Sequence, residues 1–141
     1  MQGLSRIAPA CALILAAMLL TTNHTEASGA AISFTATQVS AGASVFAAKC
    51  ALCHGTQLEG GAGPALSGPN FKTLSTKVKA NVSDIFTYMT TNMPLDAPAS
   101  LSHTQYVDIL SFILSKNGYH PGSSALTFGQ ASASTAAIVK D

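Results

Sequence analysis

Cys50-Ala51-Leu52-Cys53-His54 is the stretch on which the reading of this 141-residue chain turns. Two thiols separated by two residues at a helix end project to one side, and an imidazole follows at once. This C-x-x-C-H spacing is the attachment signature of a c-type haem. The thiols add to two vinyl groups on neighbouring edges of one porphyrin, and the next residue places its ring nitrogen under the iron. Three rival readings use the same residues. A thioredoxin-like redox pair needs a preceding strand and a βαβ context, and no alternating strand pattern of useful length is present. A structural zinc site needs four ligands, whereas Cys50, Cys53 and His54 supply three, two of them adjacent. A Cys50–Cys53 disulfide would close a very small loop and leave His54 without a role.

Immediately before the motif, AGASVFAAK is rich in helix-compatible alanine. Val39, Gly42 or Ala43, and Phe46 recur at three-to-four spacing, which predicts a short helix from about Ser40 with one packed face. After the motif, residues 55–70 (GTQLEGGAGPALSGPN) are dense in glycine and carry Pro64 and Pro69, which predicts an irregular loop. Ser83 with Asp84 reads as an N-cap, followed by Ile85, Phe86 and Met89 at helical spacing. Pro94 and Pro98 stop that helix, so residues 93–100 are expected to be extended. The clearest helix begins near Ser102. Ser102 and Gln105 form a capping box, and Leu101 with Tyr106 a hydrophobic staple. Tyr106, Ile109, Leu110, Ile113 and Leu114 make the buried face, and Lys116 and Gly118 close the end.

Composition narrows the class. Charged residues are 9% of the chain and hydrophobic ones 48%, with a formal charge of +1. A nucleic-acid binder would need a basic stripe against phosphate, so that class is excluded. A highly charged disordered chain is excluded as well. There is no Trp and only three Tyr and six Phe, few large side chains for a core. Mean hydropathy is +0.34, and much of it lies at the start. Arg6 precedes an apolar run from Ile7 to Leu20, shorter than the roughly 20 residues a spanning helix needs. Small residues follow, and cleavage after Ala27 or Ala30 fits a secretory signal peptide over residues 1–30. The alternative is an uncleaved membrane anchor. Cleavage would remove Cys11 and leave Cys50 and Cys53 as the only pair. The mature chain is expected in the periplasm without stable membrane insertion. Its divisions are a flexible arm at 31–37, one domain at 38–120 and a flexible C-terminal tail at 121–141.

Together these features resemble the class I (monohaem) bacterial cytochromes c, and the resemblance covers residues 38–120. Gly42 and Phe46 stand eight and four residues before Cys50, where the family packs a glycine and an aromatic on its C-terminal helix, here against Ile109 and Phe112. GAGPALSG is similar to the family's Gly-Pro-x-Leu loop. Asn92-Met93-Pro94 resembles the distal-methionine loop, and LSHTQYVDILSFILSKNGY the closing helix. The resemblance implies an all-α fold, with N- and C-terminal helices crossing and short helices and loops wrapped around one covalent haem c. It implies thioether attachment at Cys50 and Cys53, and His54 as proximal iron ligand. It further implies a Pro64 carbonyl accepting from His54, Leu66 packed on the haem, and Met93 as distal ligand. Met89 falls on an amphipathic helical face and reads as core packing. His103 and His120 read as exposed, and His24 as lost with or lying just beyond the leader.

The function implied is one-electron transfer by a periplasmic carrier rather than enzymatic catalysis. An alternative is the haem-bearing electron-acceptor subunit of a PQQ-dependent alcohol or sugar dehydrogenase, because residues 93–122 look like the closing region of cytochromes associated with quinoprotein dehydrogenases. A haem sensor or peroxidatic protein would require Met93 to stand off the iron. The expected partners are redox proteins, a periplasmic dehydrogenase or a terminal oxidase.

Overall fold

Thr35 starts the first helix by accepting a hydrogen bond from the Gln38 amide through its hydroxyl, while the Gln38 side chain accepts from the Thr35 amide. Two otherwise orphaned N–H groups are satisfied in this reciprocal box. In the computed structural model, which describes residues 31–140, six helices follow in order. They are α1 (Ala36–Lys49), α2 (Ala51–His54), α3 (Gly68–Val78), α4 (Val82–Asn92), α5 (His103–Ser115) and α6 (Phe128–Ala133). Among the described residues there is no sheet, only an isolated bridge between Asn81 and Ala137. No described helix is long and apolar enough to cross a membrane. The expected leader, residues 1–30 with Cys11 and His24, lies outside the described residues.

The same capping device recurs at Asn81 with Asp84 for α4, Ser102 with Gln105 for α5, and Thr127 with Gln130 for α6. The Ser102 box is the one read from the sequence. For α4 the cap is Asn81 rather than Ser83. Asn81 stands in extended backbone (φ −103°, ψ 172°) and accepts from the Asp84 amide, which puts Ser83 already inside the first turn.

The molecule is organised by the crossing of α1 on α5, its most extensive helix–helix contact. Gly42 and Phe46 are the buried residues of α1. A Cβ on Gly42 would collide with the Asp108 carbonyl oxygen and lie 2.9 Å from the Ile109 amide nitrogen. Only glycine lets the two backbones come this close. One turn on, the Phe46 and Phe112 rings meet at 5.4 Å between centroids, tilted by 57°. Ile109, Leu110, Ile113 and Leu114 are all at most 1% exposed, the face that the apolar periodicity marks.

Five further expectations need correction. Residues 93–100 are not extended throughout but turn at 94–99, where the Ala97 amide donates to the Pro94 carbonyl at 3.0 Å. The helix before the motif begins at Ala36, not near Ser40, because Thr35 supplies a cap that alanine-rich spacing does not reveal. The arm at 31–37 is packed: Phe34 is fully buried, and its carbonyl accepts from the Gly122 amide at 2.8 Å. The loop at 55–70 ends early, since Gly68 opens α3 with a proline in its first turn. The tail at 121–141 is folded through residue 140. It contains α6, and Leu126, Ala131 and Ile138 are buried at 4%, 0% and 0%. These anchors are widely spaced among small polar residues, so no periodic face announces them.

Candidate functional site

α1 ends at Lys49, and the chain turns at Cys50 into the single turn of α2. The Cys50 carbonyl accepts from the amides of Cys53 (3.1 Å) and His54 (2.9 Å). This tight turn carries both thiols and the imidazole on one short piece of backbone. Cys53 is exposed and Cys50 partly buried, and both are free thiols. Burial pushes the Cys50 thiol up to about 11, with Cys53 adding in the same direction. His54 is 9% exposed.

The glycine-rich loop then folds back under this turn. The Gly63 amide donates to the Cys53 carbonyl and the Gly60 amide to the His54 carbonyl, both at 2.8 Å. A Cβ on Gly63 would sit 3.0 Å from His54 Cε1 and 3.4 Å from the Cys53 Cβ, so the loop backbone passes directly against the ring. The next residue presents its carbonyl, and His54 Nδ1 lies 2.8 Å from Pro64 O. A carbonyl only accepts, so the proton is on Nδ1 and the lone pair is on Nε2. Such a partner fixes ring plane and tautomer and raises ligand basicity. Leu66 is partly buried against the core. Its amide donates to the Leu58 carbonyl at 2.8 Å, and its carbonyl accepts from Asn117 Nδ2 at 2.8 Å. Leu58 anchors the loop, fully buried in left-handed backbone with φ 62°.

Met93 closes α4 in extended backbone, and its bond to Pro94 is cis. It is partly buried against the core. Its carbonyl accepts from the Tyr106 hydroxyl at 2.6 Å, tying the loop to α5. Met89, one turn earlier, is 8% exposed within the core, as its amphipathic position implies. His103 is exposed but stacks on Phe128, with centroids 3.9 Å apart and planes 22° from parallel. His120 is exposed.

Sequence reading missed three supports. Tyr106 reads as a staple residue, and nothing in the pattern shows that its hydroxyl reaches Met93. Gly63 is one glycine among several. Asn117, 5% exposed, holds both Leu66 and the Ile113 carbonyl. Its only signal is an amide placed just before the Gly118 stop.

The rival chemistries fare poorly. Among the described residues no three His, Cys, Asp or Glu side chains converge to hold a metal ion, and no βαβ unit surrounds the cysteines. The donor set does fit a covalent haem: paired thiols on one turn, with an oriented imidazole whose Nε2 is not used by the Pro64 contact. An all-helical fold with α1 crossing α5, bearing this turn, defines a cytochrome c domain. Residues 37–113 match the family described as cytochrome c oxidase, cbb3-type, subunit III, and the chain belongs to that family. No curated protein and no solved structure matches. Membership makes the chain a haem c protein of the electron-carrying kind, and the Cys50–Cys53 spacing agrees with covalent attachment.

Proposed function

We propose that this chain is a periplasmic one-electron carrier whose haem c is bound through Cys50 and Cys53, with His54 and Met93 as the two axial ligands. The observation that carries the reading is the His54–Pro64 contact of 2.8 Å. It directs one ring nitrogen into the protein and leaves the other for a metal. The haem would supply an iron that cycles between Fe(III) and Fe(II). His54 would hold it through Nε2, with its tautomer fixed by the Pro64 carbonyl. Met93 offers a soft thioether, which favours Fe(II) and raises the potential relative to two histidines. Leu66 contributes apolar surface that excludes water. With His54 and Met93 both holding the haem, small oxidants would be kept from the metal, which favours outer-sphere transfer over a sensor or peroxidatic role.

Partners are redox proteins, and the family suggests an oxidase among them. Leu52, between the two cysteines of the turn, is 96% exposed. With a formal charge of only +1, long-range steering is weak, so docking rests on this apolar edge. Reduction by the partner in stopped flow should slow less than about tenfold between low and physiological salt. The second reading, an electron-accepting module of a quinoprotein dehydrogenase, rests on the resemblance of residues 93–122. Co-purification with an alcohol or sugar dehydrogenase would favour it over a free carrier.

The axial set is tested by the weak far-red absorption band of methionine-ligated ferric haem. Met93→Ala should abolish it and Met89→Ala should leave it. A band that survives Met93→Ala would overturn the ligand assignment.

A further inference from the structure

The helix that leads into Met93 packs on two other helices among those described. α4 contacts α5 only modestly and its more extensive helix contact is with α6. α6 belongs to residues 119–140, a segment beyond the family match, which ends at residue 113. This segment is fastened at both ends. At the front the Gly122 amide donates to the Phe34 carbonyl, and the Leu126 amide and carbonyl both bond the Gln38 side chain. At the back the Lys140 amide donates to the Asn117 carbonyl, while within the segment the Tyr119 hydroxyl donates to the Ala137 carbonyl.

Between these ends it grips α4. The first-turn amides of a helix have no partner within the helix. In α4, Val82 donates to the Ala136 carbonyl at 2.8 Å and Ser83 to the Ser134 carbonyl at 3.0 Å. The Ile138 amide donates to the Ala80 carbonyl at 3.1 Å, and its side chain is fully buried. Phe128 meets the buried Phe86 ring edge-on at 4.9 Å and stacks on His103 at 3.9 Å. Phe86 lies in α4 and His103 begins α5. One ring therefore touches the elements on both sides of the Met93 loop.

We infer that residues 119–140 form a positioning strap for Met93, with Phe128 as its pin, setting how firmly the thioether is held in the axial position. The inference rests on the assignment of Met93 as the distal ligand. An external ligand competes for that position. Its apparent affinity scales with the fraction of molecules in which the methionine is off the iron.

The test uses the full-length ferric holoprotein with imidazole as probe. Phe128→Ala should bind imidazole about tenfold more tightly than the unaltered protein, since the competent fraction rises in proportion. Phe128→Tyr keeps the ring and should restore the original affinity. Amide exchange across residues 82–92 should speed up in Phe128→Ala while residues 36–49 stay protected, which separates loosening of α4 from general destabilisation. Unchanged imidazole affinity in Phe128→Ala, or a gain with equal loss of protection in both helices, would overturn the strap. The parent reading fails differently: in the unaltered protein the far-red band would be absent, or would persist in Met93→Ala.

Discussion

The Gly63 backbone is packed against the His54 ring: a Cβ added to Gly63 would stand 3.0 Å from Cε1 and 3.1 Å from Nδ1. The ring is thus clamped from the side by one residue and hydrogen-bonded by the next, since Pro64 accepts from Nδ1 at 2.8 Å. Support of this kind orients a metal-bound histidine and tunes its basicity.

Gly63→Ala should therefore move the imidazole by a few tenths of an ångström and cost about 1–3 kcal/mol through overpacking. The holoprotein should still form, with a changed reduction potential, and Gly63→Val should lower the haem-to-protein absorbance ratio. A potential unchanged in Gly63→Ala would show that the ring is not confined there.

Tyr106, 2% exposed, donates its hydroxyl to the Met93 carbonyl at 2.6 Å. Tyr106→Phe keeps the packing and removes the bond, at a net cost of about 0.5–1.5 kcal/mol. Chemical denaturation measures that cost. The far-red band should also fade at lower temperature than in the unaltered protein, because the methionine loop has lost its tie to α5.

Gly42→Ala drives a methyl into the Asp108 carbonyl. Backbone cannot step aside as a flexible side chain would, so the two helices must separate. The expected loss is about 1–3 kcal/mol, read as a lower denaturant midpoint, with the Phe46–Phe112 contact loosened alongside. The mirror case is Ala43→Gly, partly buried beside it, which should cost only about 0.5–1 kcal/mol of helix propensity.

Asp108 provides a pH signature. Burial holds its carboxyl above the ordinary carboxylate range, with the Gln38 side chain pulling the other way. The native protein therefore keeps this proton to a higher pH than the unfolded chain does. Between the ordinary value and the raised one the native state binds more protons, so stability falls as pH rises through that window and levels off above it. Asp108→Asn should flatten this part of the profile in denaturation series across acidic and neutral pH. An unchanged slope would assign it to other groups.

Much of the fold could be read in the sequence where a signal was local. The Ser102–Gln105 box and the apolar face of α5 needed only short-range spacing, and both are found as read. Gly42 and Phe46 were placed on α5 by resemblance, and the close approach and the ring pair bear that out. α3 could not be read because it has little apolar face: Leu74 and Val78 are 56% and 61% exposed, and glycine and proline at its start look like loop. The C-terminal segment was invisible for another reason. Leu126, Ala131 and Ile138 are buried singly by residues far away in sequence, so serine- and alanine-rich composition outweighed them. Within the candidate site the C-x-x-C-H turn is legible from spacing alone. Its supports, Tyr106 and Asn117, act through one hydroxyl and one amide whose targets lie across the fold.

The crossing of α1 on α5 also fixes an order of events in time. α1 and the Cys50–His54 turn are synthesised well before α5 and its Asp108–Ile109 backbone exist. For that interval Gly42 and Phe46 lack the Asp108 backbone and the Phe112 ring on which they pack. Completion of α5 is what fixes α1 in place, and with it the direction in which the Cys50–His54 turn leaves the crossing.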